Sequence, residues 1–292
     1  MAVAEYFVPT PLVRYRSRFG LGVRQYFHGT SVPNYIAFGG LVAMFVVAFM
    51  AGHIAPYDPL AVVGRPMAPP NGTNLFGTDT VGRDIFSRVL CGMQSSWWGA
   101  LAVGAFGAIF GGLVGLVAGA CGGWVDTVLM RVTDAFLALP GPILALAVVA
   151  AIGRSYTHTL IGVAIVWWPL YTRIVRAEVR KLRASPHVEA ARVGGIGRWR
   201  LMYRHLLPGA IPSTIVTASL DIAALVLIVA GLSFLGLGAP QPAPELGSMS
   251  AQGVTYIFSA WWIPILPAVG VAVIAVVANF AGDAIRDRIR DR

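Results

Sequence analysis

Glu189 is predicted to stand in the first turn of a short helix whose limits can be read from its neighbours. Ser185 is a good N-cap, Pro186 a good first helical residue, and Gly194 or Gly195 supplies a left-handed stop. A second short helix is predicted from about Arg198 to Leu206, ending near Pro208 because proline restricts the residue before it. Ala190 and Ala191 let the first helix approach a partner closely, and an acid near a helix start is favoured by the macrodipole. That chemistry is docking rather than catalysis. A surface helix with a dipole-matched acid would show the same tripeptide.

The other reactive side chains fall into small groups. In the stretch from Phe76 to Arg88, Gly77 and Gly82 permit tight turns and Asp79 can cap a following helix. Asp84 and Arg88 sit at helical i, i+4 spacing, with Arg83 between. This reads as a folded segment steadying a mouth, with direct contact to a substrate or docked protein as the alternative. Asp221 stands midway along an apolar run, where a charge is costly and suggests function. It either faces a pathway or serves as a buried structural partner. Arg131 and Asp134, three apart, are expected to pair with each other.

Several chemistries are excluded. The five histidines show no metal-ligand spacing, and no Gly-x-Ser-x-Gly elbow is present. Lys181 is the only lysine and lies between Arg180 and Leu182, so the Gly-Lys-Ser/Thr end of a nucleotide-binding loop is missing. Work driven by ATP must therefore come from another subunit. Cys91 and Cys121, the only cysteines, are expected on opposite sides of a membrane as free thiols.

The elements that must position these groups are membrane helices. Of 292 residues, 57% are hydrophobic and only 12% charged. Soluble domains carry about twice that charge. Six stretches are apolar and long enough to cross hydrocarbon: Tyr35 to Ala55, Trp97 to Ala120, Thr127 to Ile152, His158 to Ile174, Ala210 to Leu232, and Ala260 to Ala281. The first is longer than a signal-peptide core and reads as an uncleaved anchor.

Orientation follows from the basic residues, which concentrate on the cytoplasmic side. With the N-terminus inside, 18 of the 22 fall inside, among them Arg14, Arg16, Arg18 and Arg24 of the tail and nine between residues 173 and 208. Only Arg65, Arg83, Arg88 and Arg154 lie outside. Both termini are thus expected in the cytoplasm, with Trp97, Trp98, Trp261 and Trp262 at the outer interface. The net charge of +9 reads as topological and calls for no nucleic acid. The organisation is a basic tail and anchor helix (1–55), an extracytoplasmic segment (56–96), a five-helix body (97–282) with a cytoplasmic loop near 185–208, and a cytoplasmic tail (283–292).

The whole loop pattern is more specific than its parts. Glu189-Ala190-Ala191, then Gly195 four residues on, then Leu207-Pro208 twelve residues after Gly195, all between two spans, resembles the EAA loop of membrane subunits of bacterial ATP-binding-cassette importers. The resemblance implies that this loop couples to a separate ATPase subunit through Glu189, Ala190, Ala191, Gly195 and Pro208. His205 and Leu207 fit the same pattern. Ala55-Pro56-Tyr57-Asp58-Pro59, the Phe76 to Arg88 stretch, and Leu232-Ser233-Phe234-Leu235-Gly236-Leu237-Gly238 look like the C-type permease subunit of the dipeptide/oligopeptide/nickel importers. Asp126, Arg131 and Asp134, with Tyr171 to Glu178, extend the likeness over nearly the whole chain.

Several expectations follow from the resemblance. The fold is all-α, the type I importer transmembrane fold with six spans. The partners are a homologous B-type permease, two ATPase subunits (or one fused), an extracytoplasmic binding protein, and the lipid membrane. ATP and Mg belong to the ATPase partners; no cofactor, metal or catalytic residue is assigned to this chain. Peptides are the leading substrate class, with nickel, glutathione or haem as alternatives. Two positions depart from the family pattern, Val229 where Glu is usual and Leu246 where Trp is usual, both placed near the outer half of the pathway. An ATP-independent secondary carrier is the rival class, which the loop pattern opposes. A membrane-anchored enzyme or scaffold is weaker still, because the 41-residue outer segment is too short to bury much of a core.

Overall fold

The computed structural model describes residues 32–290. Arg14, Arg16, Arg18 and Arg24 of the basic tail lie outside the described residues, as does Arg292. The first helix, α1 (Val32–Ile54), packs through a stripe of mostly small residues, Ala37, Met44, Ala48 and Ala51. Its opposite face shows Val42, Phe45, Phe49 and Met50, an apolar exposure that suits lipid.

Residues 56–84 form a folded segment at one end of the bundle, held by two isolated antiparallel bridges, Val62 to Arg83 and Thr78 to Asp84. Gly82 is required there. It sits at φ +98, and a Cβ would strike the carbonyl of Gly64, which lies in the strip that Gly82 holds.

The second span begins twelve residues before its expected start. α2 (Ile85–Phe106) opens on Ile85, with buried Ser87, Arg88 and Ser96 in its first turns, polar residues that had lowered the hydropathy of a helical stretch. A π-helical turn (Gly107–Gly111) joins it to α3 (Gly112–Cys121), and the three form one run of 37 residues. Gly107, Gly111, Gly115 and Gly119 recur every four residues and face α6 (Tyr156–Arg183). A Cβ on Gly115 would lie 2.5 Å from the carbonyl of Thr172, and one on Gly119 2.8 Å from Val179. Small residues at this spacing let two helix backbones meet.

The expected third span, Thr127 to Ile152, is not one straight helix. It comprises α4 (Gly123–Leu137) and α5 (Gly141–Ile152), which meet at 85°. Pro140 sits at the break with extended ψ 122, where its missing N–H and its constraint on Leu139 end α4. Among the described residues, five helical runs are long and apolar enough to cross a membrane, and the bent pair makes a sixth if it counts as one span.

α6 extends well past Ile174, carrying Arg173, Arg176, Arg180, Lys181 and Arg183 on its last turns. After the loop, α8 (Arg198–Leu201), a π-helical turn (Met202–Leu206) and α9 (Leu207–Leu232) run on as a single helix to a second π-helical turn (Ser233–Leu237), 40 residues in all. Pro208 therefore does not end the second short helix. The π-helical turn resets the hydrogen-bond ladder just before it, so Pro208 occupies a first-turn position, where its absent N–H costs nothing. Gly236, at φ +87, breaks the run.

Glu245 then caps α10 (Leu246–Gly253), accepting from the N–H of Gly247 at 3.0 Å and of Ser248 at 2.9 Å. The last helix, α11 (Trp262–Arg290), packs along α9 and absorbs most of the expected C-terminal tail. Trp97 and Trp262 are buried in the main core rather than exposed as interfacial anchors, and Trp262 Nε1 donates to the Thr78 carbonyl at 3.3 Å. Trp98 and Trp261 remain exposed.

Candidate functional site

The loop that follows α6 is a built structure with its own core. α7 (Pro186–Val193) starts after Ser185, whose backbone is extended as an N-cap requires, although its hydroxyl donates back to the Leu182 carbonyl instead of capping. Gly195 supplies the left-handed stop at φ +78, and Ile196 N–H returns to the Ala191 carbonyl at 3.2 Å. Val188 is wholly buried. It joins a cluster made of Leu116 from α3, Val175 and Val179 from α6, Leu201 and Leu206 from the α8 region, and Ala210 from α9. Ala191, Ile196 and Leu207 pack onto the same cluster.

Glu189 and Ala190 point the other way, into solvent, together with Val193, which is 85% exposed. Trp199 and Tyr203 add 74% and 60% exposure nearby on the α8 side. No ion pair among the described residues involves Glu189. An acid without an ion-pair partner, on a loop that shows three large side chains to solvent and whose helix is clamped to three others from below, has the chemistry of a protein-docking face. His205 is half-buried and Pro208 exposed.

The carboxylates of α4 anchor the base of α6. Asp126 accepts from Arg176 Nε at 2.5 Å and Nη2 at 2.7 Å, with Arg180 at 3.8 Å. Asp134 pairs with Arg173 at 2.7 Å rather than with Arg131. A helix-to-helix partner has displaced the neighbour three residues away, and Arg131 is exposed.

Asp221 is half-buried on α9 and accepts from Trp167 Nε1 of α6 at 3.2 Å. The Tyr171 hydroxyl lies near it, fully buried and without a hydrogen-bond partner. The polar contact is thus made within this chain.

At the opposite end, the 79–88 residues converge. Asp79 accepts from the N–H of Val81, Gly82 and Arg83 and from Arg83 Nε at 2.7 Å, which folds a turn rather than capping a helix. The cap of α2 is Asp84, which accepts from Ser87 N–H at 2.8 Å and from Asn74 at 2.9 Å. Arg88 does not pair with Asp84. Its guanidinium reaches the carbonyls of Pro59 and Pro242 at 2.9 and 3.2 Å and lies 3.7 Å from Asp79. A cavity of 230 Å³ opens beside this group, lined also by Gln241, Gln252 and Tyr256. Val229 and Leu246, the two departures from the family pattern, are buried in the main core rather than lining a pathway within the chain.

The glycine stripe of α2–α3 and the Arg176–Asp126 tie went unremarked as functional features of the sequence. The four-residue spacing of Gly107, Gly111, Gly115 and Gly119 was the available signal for the first. The second joins residues 50 apart and left no local signal.

Comparison with known proteins agrees with this architecture. The family model for the binding-protein-dependent transport system inner membrane component matches residues 111–292. The probable D,D-dipeptide transport system permease protein DdpC of Escherichia coli (strain K12) is 39% identical over 248 residues, covering 85% of this chain and 83% of that protein. The glutathione transport system permease protein GsiD of Pectobacterium atrosepticum is 36% identical over 255 residues, with coverages of 85% and 83%. Among solved structures, the methionine ABC transporter MetNI in inward-facing conformations matches with a TM-score of 0.50 at 22% identity, over 66% of this chain and 94% of that one. Fold and relatives together define a multi-pass membrane permease subunit of an ABC importer, with the type I transmembrane fold. The chain belongs to the family of binding-protein-dependent transport system inner membrane components.

Proposed function

We propose that this permease moves peptides across the bacterial cytoplasmic membrane, pairing with a homologous B-type permease. Two ATPase subunits, separate or fused, hold ATP and Mg and carry out hydrolysis, and an extracytoplasmic binding protein delivers the substrate. Both termini and the α7 loop lie in the cytoplasm, which the excess of basic residues near the loop supports. The observation that carries the reading is the position of Val188: α7 shows Glu189, Ala190 and Val193 to solvent while Val188 seats it on α3, α6 and α9. A push on the exposed face therefore reaches three helices at once. Ala191, Gly195, His205, Leu207 and Pro208 hold the loop in the shape that permits this.

Alternating access follows. Closure of the ATPase pair displaces α7, the helices around it shift, and the pathway opens outward; hydrolysis reverses the movement. Asp221, tethered to Trp167, is assigned to the pathway, with a structural role in this chain as the competing reading. Arg131 and the Asp134–Arg173 pair sit at the cytoplasmic boundary. The cluster of Asp79, Gly82, Arg83, Asp84 and Arg88 shapes the outer mouth. The names of relatives that carry dipeptides or peptides favour a peptide substrate, while the glutathione permeases keep that tripeptide as the alternative.

The test is to tag the chain in its host, extract it in mild detergent and identify what accompanies it. Recovery of a second permease, nucleotide-loop ATPases and a peptide-binding protein is the expected result. Recovery of the chain alone, under conditions that keep known importers whole, would overturn it.

A further inference from the structure

A second cavity, of 280 Å³, lies where the ends of α3 and α6 meet α7 and α8. Three arginines from three elements line it: Arg183 at the end of α6, Arg192 on α7 and Arg198 at the start of α8. Its remaining walls are apolar or thiol, including Cys121, Ile196 and Met202, and no carboxylate lines it. Arg183 Nη1 donates to the Gly119 carbonyl at 2.8 Å, which fixes the guanidinium while leaving its other donors for a ligand. The nearby carboxylate, Asp126, is already engaged by Arg176 and Arg180, and none of the three arginines has an ion-pair partner among the described residues.

Helix geometry places this cavity at the edge of the docking face. At about 100° per residue, Arg192 lies roughly 40° from Val188, whereas Glu189 and Val193 lie about 100° and 140° away. Arg192, exposed and about 60° from Glu189, thus stands between the seated and the solvent sides of α7. Three like charges against an apolar floor repel one another unless an anion joins them, and planar guanidinium groups match phosphate oxygens.

We propose that this crease binds a phosphate group, that of an anionic phospholipid headgroup at the membrane boundary. Basic pockets between spanning helices on the cytoplasmic side take such headgroups, and the apolar floor suits the glycerol and upper acyl carbons. A bound headgroup would wedge the inner face of α7 against α3 and α6. The proposal rests on the reading of α7 as the coupling helix, since it places the headgroup in the crease beside the face that an ATPase touches.

Native mass spectrometry of the purified full complex, taken from membranes containing phosphatidylglycerol and phosphatidylcholine, reads the site directly. Wild type is expected to retain phosphatidylglycerol in preference. Arg192→Gln should weaken retention about fivefold, and the triple change Arg183→Gln, Arg192→Gln, Arg198→Gln about a hundredfold. Arg200→Gln and Arg204→Gln, whose side chains lie outside the cavity, should leave it unchanged. Equal retention by Arg192→Gln and the triple variant would overturn the proposal, as would equal loss in Arg200→Gln. Displacement of the lipid by inorganic phosphate would keep the phosphate site and reassign its source to solution. The wild-type preparation separates the two readings. Lipid retained without ATPase subunits sinks the coupling assignment alone, and ATPases retained without lipid preference sink only the crease.

Discussion

Arg176 and Asp126 meet in a two-pronged ion pair, with Nε and Nη2 of the guanidinium at 2.5 and 2.7 Å from the two carboxylate oxygens. The pair fastens α4, the first arm of the bent span, to the stretch of α6 that also carries Val175 and Val179 of the loop core. The start of α4 and the last turns of α6 are therefore held together beside the loop core.

Breaking that pair leaves the Asp126 carboxylate largely buried with only distant Arg180 near it. Arg176→Ala is expected to cost about 1–3 kcal/mol of stability, less than a fully buried pair because the guanidinium is partly exposed. Thermal unfolding of the purified chain measures this, and Asp126→Asn combined with Arg176→Gln should recover part of the loss.

Gly115→Ala should prevent α3 from seating on α6, since the new Cβ would meet the Thr172 carbonyl at 2.5 Å. Overpacking of this kind costs about 1–3 kcal/mol. Gly39→Ala is the control, because nothing lies within 4 Å of its Cβ position. Equal melting temperatures for the two variants would show that the helix contact is looser than described.

Glu189→Arg should leave the chain inserted at wild-type abundance while ATP-driven uptake falls about tenfold or more, because a reversed charge at a docking face costs several kcal/mol. Normal uptake by this variant would remove the acid from the coupling role.

Asp221→Asn keeps the shape and the contact with Trp167 while removing the charge. Turnover of substrate is expected to change more than assembly. Loss of the complex from membranes, with no functional form remaining, would favour the structural role. Trp167→Phe then becomes informative, since it deletes the one described hydrogen-bond donor to Asp221.

Much of the architecture was legible because hydrophobic length and turn chemistry are local. The helix start after Ser185, the left-handed stop at Gly195 and most span limits followed from short windows. Errors arose where tertiary contacts outweighed local preference. Arg131 and Asp134 looked paired because they are three apart on a helix, yet Arg173 approaches Asp134 from α6. Asp84 and Arg88 have helical spacing, but the α2 N-terminus claims the carboxylate and two carbonyls from distant segments claim the guanidinium. Pro208 looked like a stop because a π-helical turn cannot be foreseen from a proline alone. Pro140 was passed over inside a run that met the hydropathy and length criteria, although its backbone constraint bends that run by 85°.

The helix from Arg198 to Leu237 has a mechanical consequence. A straight α-helix bends little over its length, so displacement at one end reappears at the other unless a weaker section absorbs it. The two wide turns, Met202–Leu206 and Ser233–Leu237, flank the regular span between them. Leu207–Leu232, with Pro212 near its start, is thus a beam set between two wide joints, one beside the loop and one beside the break at Gly236.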